Sequence, residues 1–253
     1  MLHLTDPLTF GLACAAAFAV GLSKGGLPVI GMMAVPVMSF VMGPLEAAGL
    51  LLPIYIVTDM FGLYFYRKEY SPRNLAILVP SAIAGIGIGW AFASVLSQDA
   101  VAMVVGMVGL LFCLWRWFGG PSQEKKPAKI IPGIFWGGLS GFTSFVSHSG
   151  GPPYQIYTVP QRLPKLVFAG TNTILFAIVN AVKLVPYVAL GQMSWATVQT
   201  SLVLMPVGAL ATFVGVRLTR ILPEKLFYAF VQAALFLVSL KLVWESGWRL
   251  LPH

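Results

Sequence analysis

Long apolar stretches follow one another along nearly the whole chain, with short polar turns between them. A membrane-spanning helix needs roughly 20 predominantly apolar residues. Six stretches reach that length, at residues 45–66, 74–96, 99–118, 166–190, 195–216 and 225–246. The polar stretches between them are too short to form a separate soluble domain. The pattern therefore predicts an all-α polytopic membrane protein.

Four further apolar stretches are shorter, at residues 8–22, 28–42, 131–147 and 153–163. They form two adjacent pairs, and a glycine-rich break joins the members of each pair: SKGGLP in the first and SHSGGPP in the second. A 15-residue helix is only about 22 Å long, whereas the hydrocarbon core is roughly 30 Å thick. We therefore expect two pairs of broken or re-entrant helices, and eight to ten membrane segments in total.

The second half of the chain resembles the first. Pro36 and Pro160 lie in the related triplets AVP and TVP and are 124 positions apart, and Pro80 and Pro206 lie in similar apolar stretches 126 positions apart. Weak internal symmetry of this kind is typical of transporter folds. We therefore divide the chain into a first repeat at residues 1–118, a cytoplasmic linker at 119–130 and a second repeat at 131–253.

Loop charges predict that the two repeats have opposite orientations. Basic residues concentrate in the connections near residues 67–73, 116–129 and 217–225, and loops rich in lysine and arginine face the cytoplasm. The repeat partners of the first and third basic loops are LGQMS and LSQDA, which contain no basic residue. Equivalent loops would then lie on opposite sides. The prediction is a pair of inverted repeats, with both termini extracytoplasmic.

Composition narrows the possible classes of function. Hydrophobic residues make up 58% of the chain and charged residues only 9%, unlike a soluble domain. Cys14 and Cys113 lie in apolar stretches, and no cluster of His, Cys, Asp and Glu has the spacing of metal ligands, so we expect no disulfide framework, metal or other cofactor. The 16 basic and 8 acidic residues fit loops beside anionic lipid, so the expected partner is the bilayer and not nucleic acid.

Lys24 is the strongest candidate for a functional residue, because it lies in the first break between two apolar stretches. A charge inside the membrane is costly unless it faces a cavity or a partner. Gly25 and Gly26 permit close backbone approach, and Pro28 suits the first position of a new helix. Helix N-termini at the two breaks, together with this ammonium group, would bind a small anion. The alternative is that Lys24 lies at the cytoplasmic surface.

Two more charges, Asp59 and Lys183, interrupt long apolar stretches 124 positions apart, so the repeat gives them equivalent places. We expect Lys183 to help hold the anion and Asp59 to couple transport to protons, unless the two form a structural ion pair. The other candidates for substrate binding are His148, Ser149, Gly150, Gly151, Tyr154, Asn172 and Asn180.

These further candidates also have structural interpretations. His148 could instead relay a proton or cap a helix, and the two asparagines could bond neighbouring helices. Gln155 and Tyr157 follow the second break and are expected near the same cavity, whereas Tyr64 and Tyr66 are expected to anchor the membrane interface.

GLSKGGLPVIG in the first half, and SHSGGPPYQIYTVPQRLPKLVFAGTNTILFAIVNAVKLVPY from Ser147 to Tyr187, resemble the two motifs of the TauE/SafE sulfite exporter family, also called the TSUP transporters. The resemblance covers nearly the whole chain. It implies an inner-membrane permease that moves sulfite, sulfonates or related small sulfur-containing anions, commonly outward. The family pattern covers Lys24, Gly25, Gly26, Gly150 to Pro153, Leu163 to Lys165, Gly170, Thr171, Asn180, Lys183 and Pro186.

Alternating access is the expected mechanism, and an anion channel with the same site is the alternative. A hydrolase built on Ser149 and His148 is disfavoured, because adjacent side chains in a turn usually diverge. We therefore expect a transporter and not an enzyme. The glycine-rich face at residues 82–89 would suit a homo-oligomer as well as packing within one chain. We also expect Lys24→Ala to fold nearly normally but to lose anion binding.

Overall fold

The computed structural model of the chain describes residues 6–28, 30–38, 40–42, 44–93, 95, 97–118, 125–191 and 195–250. Within these ranges the chain forms α-helices and two short 3₁₀ helices, and no strand. The α-helices are α1 (Pro7–Lys24), α2 (Ala34–Met38), α3 (Pro44–Tyr66), α4 (Pro72–Ala91), α5 (Gln98–Phe118), α6 (Ile130–Ser147), α7 (Gly151–Thr158), α8 (Lys165–Ala189), α9 (Trp195–Ile221) and α10 (Glu224–Leu250). Residues 119–124 of the predicted linker and the outermost residues of both termini lie outside the described residues.

Eight of the described helices are long and apolar enough to cross a membrane: α1, α3 to α6 and α8 to α10. The chain is therefore a multi-pass helical membrane protein, as the apolar pattern predicts. The six long stretches correspond to α3, α4, α5, α8, α9 and α10. The first members of the two broken pairs, α1 and α6, have 18 residues each, about 27 Å, and are longer than the apolar stretches that predict them.

Short polar motifs explain where several helices begin and end. Asp6 caps α1 by accepting a hydrogen bond from the Thr9 N–H at 2.9 Å, and Pro7 occupies the first helical position, where its missing N–H costs nothing. Ser71 and Pro72 start α4 in the same way. At the other end of α1, Gly26 has a φ of +108°, which side-chain-bearing residues rarely adopt. The first break therefore follows directly from the sequence.

The second member of each broken pair is short. After Gly26 the chain forms the 3₁₀ helix Ile30–Met33 and then α2, which has five residues. After the second break, α7 has eight residues and leads into the 3₁₀ helix Val159–Gln161. At about 12 Å, α7 is too short to span the hydrocarbon core. The first break leads into a 3₁₀ turn and not directly into a regular helix, because the Ile30 N–H bonds to the Leu27 carbonyl.

Contacts between the helices divide the chain into two compact units. Unit 1 comprises Met1–Tyr70 and Ala169–Leu222, and therefore contains α1 to α3, most of α8, and α9. Unit 2 comprises Ser71–Phe168 and Pro223–His253, with α4 to α7 and α10. Each unit combines helices from both predicted repeats. The inverted repeat itself stays a prediction.

Small residues bring α1 close to α9 in unit 1. A Cβ atom on Gly21 would collide with the Gly208 carbonyl, and one on Gly25 would lie 2.5 Å from the Gly215 Cα. Interfaces between membrane helices are rich in small residues because these let backbones approach closely. This contact holds the last turn of α1, and with it Lys24, against α9.

The same kind of contact joins α4 to α6 in unit 2. A Cβ atom on Gly85 would collide with the Gly138 carbonyl, and one on Gly141 would collide with the Ala82 carbonyl. Ala82 and Gly85 belong to the glycine-rich face at residues 82–89. Packing within the chain therefore accounts for these two positions, and homo-oligomerisation stays a prediction.

Candidate functional site

Lys24 is the last residue of α1, and its side chain is turned into unit 1. The residue is only 4% exposed. Its Nζ lies 2.7 Å from Oδ1 of Asp59 on α3 and 5.1 Å from the ring centroid of Tyr55. The carboxylate supplies a full opposite charge, and the aromatic face adds a weaker attraction for the cation. Unit 1 therefore encloses this lysine together with partners that offset its charge.

Asn180 on α8 contacts the other oxygen of the same carboxylate. Its Nδ2 donates a hydrogen bond to Oδ2 of Asp59 at 2.8 Å. Asp59 is 3% exposed, and an opposite charge together with a hydrogen bond offsets part of the cost of burying a carboxylate. Residues from α1, α3 and α8 thus converge on one carboxyl group. The sequence-based alternative paired Asp59 with Lys183, whereas the structure gives it direct contacts with Lys24 and Asn180.

Lys183 lies one helical turn beyond Asn180 on α8 and is 2% exposed. Its Nζ lies 5.7 Å from the ring centroid of Tyr187, and its charge interacts with those of both Lys24 and Asp59. We call Lys24, Asp59, Asn180 and Lys183 the charged cluster. When both lysines are protonated, these four side chains carry two positive charges and one negative charge. In that protonation state the charged cluster has a net positive charge inside the protein.

Hydroxyl groups hold the backbone at the end of α1. The Gly25 carbonyl accepts hydrogen bonds from the Tyr66 hydroxyl at 2.7 Å and the Thr219 hydroxyl at 3.0 Å. The Lys24 carbonyl accepts one from the Thr173 hydroxyl at 3.3 Å. The last carbonyls of a helix have no partner within it, so these side chains of α3, α8 and α9 replace the missing bonds. They also fix the direction in which Lys24 leaves α1.

Tyr66 has a different role from the one that the sequence suggests. It is fully buried, whereas Tyr64 is exposed, so the expectation of an interfacial anchor is wrong for Tyr66. Tyr55 is a second residue of this site that sequence reasoning missed. On α3, Tyr55 precedes Asp59 by four residues and Tyr66 follows it by seven, so all three lie on one helix face. This spacing could have shown from the sequence that Tyr55 and Tyr66 lie on the same helix face as Asp59.

Asn172 lies on α8 eleven residues before Lys183, which is three helical turns and places both on the same face. It is buried, and its Oδ1 has no hydrogen-bond partner among the described residues. The separation along the helix axis is about 16 Å. The structure therefore puts Asn172 on the helix that carries Asn180 and Lys183, but not next to Lys183.

Hydroxyl groups of α6 hold the second break, in unit 2. His148 ends α6 with a left-handed φ of 53°, a conformation that histidine tolerates better than most residues. The Ser149 carbonyl accepts a hydrogen bond from Thr143 at 3.1 Å, and the Gly150 carbonyl accepts one from Ser140 at 2.7 Å. His148, Ser149, Gly150 and Gly151 are thus brought together as one turn.

The hydroxyl groups next to this turn are occupied by the backbone. The Ser149 hydroxyl donates to the Ser147 carbonyl at 2.9 Å, so its proton is not directed at the neighbouring imidazole, as a nucleophilic serine would require. The Tyr154 hydroxyl donates to the Phe168 carbonyl at 2.9 Å. Gln155, by contrast, is fully buried, and neither of its amide atoms has a hydrogen-bond partner among the described residues.

The chemistry available in unit 1 is that of an anion site. The Lys24 ammonium group and the Asn180 amide contact a single carboxylate, a second ammonium group lies on the same helix as Asn180, and a small oxyanion can bind donors of this kind. In the described part of the chain, no three or more His, Cys, Asp and Glu side chains are placed to hold a metal ion.

Comparison with known proteins identifies the family. The model of the family described as "Sulfite exporter TauE/SafE" matches residues 13–242, a range that includes the charged cluster and the second break. Searches of curated proteins and of solved structures find no match. The chain therefore belongs to the TauE/SafE sulfite exporter family, whose members are membrane transporters and not enzymes.

Proposed function

We propose that this protein exports sulfite, or a related small sulfur-containing oxyanion or organosulfonate, by alternating access in the cell (inner) membrane. Family membership supports the class of substrate. The helical, multi-pass architecture supports transport across a bilayer.

One observation carries the proposal: two buried lysines share one buried carboxylate. Charges out of water are costly unless opposite charges and hydrogen bonds offset them. Asp59 contacts the Lys24 ammonium group directly and supplies the one negative charge of the charged cluster. A bound monoanion would bring the charged cluster to electrical balance, so the cluster favours anions over neutral molecules and cations.

The ion pair also suggests how an anion and a proton would be coupled. Asp59 and a bound oxyanion compete for the Lys24 ammonium group, since both are anionic oxygen ligands. Protonation of Asp59 removes this competition. Nδ2 of Asn180 can still donate a hydrogen bond to Oδ2 of Asp59, which holds the carboxyl group in place. The anion and the proton would then bind together and move in the same direction.

Lys183→Met gives the most direct test, because the contacts of Asp59 with Lys24 and Asn180 do not require Lys183. Radiolabelled sulfite uptake is measured in proteoliposomes, with and without a pH gradient. We expect saturable flux in the wild type and loss of that flux in Lys183→Met, with thermal stability retained. Lys241→Met is the matched control, since Lys241 lies on α10 and pairs with Glu245; it should transport normally.

Three results would each contradict a part of the proposal. Absence of sulfite or sulfonate flux in the wild type would remove the assigned substrate class. Normal flux in Lys183→Met would keep the class but remove the charged cluster as the binding site. Flux that never saturates would favour an anion channel over alternating access.

A further inference from the structure

Gln155 is the one fully buried amide side chain in the described part of unit 2 whose oxygen and nitrogen both lack a hydrogen-bond partner. A buried amide without partners is unfavourable, because water hydrogen-bonds both groups in the unfolded chain. Buried polar groups in native proteins are rarely left this way, and each case needs an explanation. A ligand that forms hydrogen bonds with the Gln155 amide would explain why both amide atoms lack a partner in the described part of the protein.

Gln161, six residues later, shows how the same side chain is accommodated when its role is structural. It is 4% exposed. Its Oε1 accepts a hydrogen bond from Asn74 Nδ2 at 2.9 Å, and its Nε2 donates to Asn74 Oδ1 at 3.1 Å. The fold thus satisfies every polar atom of Gln161 while leaving both polar atoms of Gln155 unsatisfied.

The position of Gln155 on α7 directs its amide towards the second break. Helical side chains tilt towards the N-terminus of their helix and cover the preceding turn. The residue one turn before Gln155 is Gly151, which has no side chain to occupy that space. No side chain caps α7, and Pro152 and Pro153 have no N–H, so Gly151 is the only donor among its first three residues. An anion at this helix start would meet the Gly151 N–H and the positive end of the helix dipole, and Gln155 would add a side-chain donor.

An amide selects its ligand by offering one donor group and one acceptor group. The NH₂ group of Gln155 can donate to an anionic oxygen. The amide oxygen needs a donor, and an oxyanion without a bound proton cannot provide one. An oxyanion that carries its own O–H, S–H or N–H group satisfies both atoms, as in hydrogensulfite or a hydroxylated sulfonate.

We propose that Gln155 is a specificity-determining residue that binds an oxyanion carrying its own hydrogen-bond donor at the start of α7. The proposal rests on the proposed permease function and refines its substrate class. Anions with a donor are favoured over anions of similar size and charge without one. The discrimination arises because a ligand without a donor leaves the buried Gln155 oxygen unpaired.

The test compares Gln155→Met with the matched control Gln161→Met. Methionine keeps the approximate length of the side chain and removes both polar atoms. Two readouts are needed: thermal unfolding of the purified protein without anion, and flux of two probes in proteoliposomes. The probes are 2-hydroxyethanesulfonate and ethanesulfonate, which differ only in a hydroxyl group. Hydrogensulfite flux at mildly acidic pH serves as the reference for transport.

We expect Gln155→Met to unfold at the same temperature as the wild type or at a higher one, because an unsatisfied amide has been removed. Its preference for 2-hydroxyethanesulfonate over ethanesulfonate should fall by about tenfold. Gln161→Met should unfold at a lower temperature, because the buried Asn74 loses both hydrogen bonds to Gln161, and it should keep the wild-type preference between the probes.

Other outcomes overturn the inference in distinguishable ways. If Gln155→Met is destabilised as much as Gln161→Met, the Gln155 amide has partners in the folded protein and a structural role. If the wild type transports both sulfonates equally, or if the variant keeps the preference, Gln155 does not select the substrate, although the permease function stands. If the wild type transports neither the sulfonates nor hydrogensulfite, the proposed function fails and the inference fails with it.

Discussion

Lys24 and Asp59 form a buried ion pair, with 2.7 Å between Nζ and Oδ1, that joins the last residue of α1 to α3. The pair gives Lys24 a second role beside anion binding, since the same ammonium group neutralises a carboxylate inside unit 1. Breaking a buried pair by removing one partner is more damaging than removing both, because the remaining charge is left without compensation. The sequence-based expectation that Lys24→Ala folds nearly normally did not take into account that Lys24 neutralises the buried Asp59 carboxylate.

Lys24→Met should therefore reduce stability by about 3–5 kcal/mol, and Lys24→Met combined with Asp59→Leu should recover much of the loss. Chemical denaturation of the four members of this double-mutant cycle measures the coupling. The pair of Lys241 and Glu245 on α10, with 2.8 Å between charged atoms and greater exposure, provides the control. Its coupling should be no more than about 0.5 kcal/mol. Equal coupling in the two cycles would show that the Lys24 pair is not effectively buried.

Asp59→Asn should separate proton coupling from anion binding. The amide has the shape of the carboxyl group but neither takes up nor releases a proton, so sulfite flux should no longer respond to a pH gradient. The variant should lose stability, because the Lys24 charge is left without its partner, but flux of the folded protein down a sulfite gradient should persist, because Lys24 then has no competing carboxylate. Asp99→Asn is the control, since Asp99 pairs with Arg249 at the α5–α10 contact in unit 2. An unchanged response of Asp59→Asn to the pH gradient would exclude Asp59 as the coupling residue.

Gly25→Ala should destabilise the protein and lower flux, because the new Cβ atom would lie 2.5 Å from the Gly215 Cα. Relief requires α1 and α9 to separate, which moves Lys24 from its position beside Asp59. We expect a loss of about 1–3 kcal/mol, as for other overpacked sites.

Gly11→Ala is the matched control on the same helix, because nothing lies within 4 Å of the added Cβ atom. It should be neutral or slightly stabilising, since alanine favours helix more than glycine does. The comparison uses thermal unfolding and sulfite flux of both variants. A Gly25→Ala protein that unfolds like Gly11→Ala would mean that the α1–α9 contact adapts without cost.

His148→Asn should keep both the fold and transport if the role of His148 is to adopt the left-handed conformation that ends α6. Asparagine adopts that conformation readily. His148→Val should be destabilised by about 1–2 kcal/mol, because β-branched residues resist it. Measurements of thermal unfolding and of flux distinguish this conformational role of His148 from a chemical role of its imidazole. Loss of flux in a stable His148→Asn protein would show that the imidazole itself acts on the anion or on a proton.

Much of the architecture is present in the sequence. Apolar stretches of the right length locate α3, α4, α5, α8, α9 and α10, and glycines with adjacent prolines locate both breaks. These features are predictable because a lipid environment requires apolar side chains and internally satisfied backbone bonds, which continuous helices provide. The length of α1 is less predictable, since its helical hydrogen bonds continue through Ser23 and Lys24 beyond the apolar stretch.

The sequence also identifies Lys24, Asp59, Asn180 and Lys183 as exceptional, because charged and amide groups inside apolar helices are costly and need a reason. It does not determine which of them are in contact. Asp59 is 121 positions from Asn180 and could pair with either lysine. The packing of α1 and α8 against α3 determines that Asp59 contacts Lys24 and Asn180. The helical periodicity of the sequence does not contain this information.

The tertiary structure alone decided two further points. Tyr66 turns inward because α3 places it on the face that carries Asp59, and the Gly25 carbonyl lies within reach of its hydroxyl. The side chain of Gln161 has hydrogen-bond partners and that of Gln155 has none among the described residues, although both residues are buried and follow the second break. The sequence determined which polar side chains lie within apolar helices. The packing of distant helices determined which of these side chains have partners, because a hydrogen bond or ion pair depends on positions in space and not along the chain.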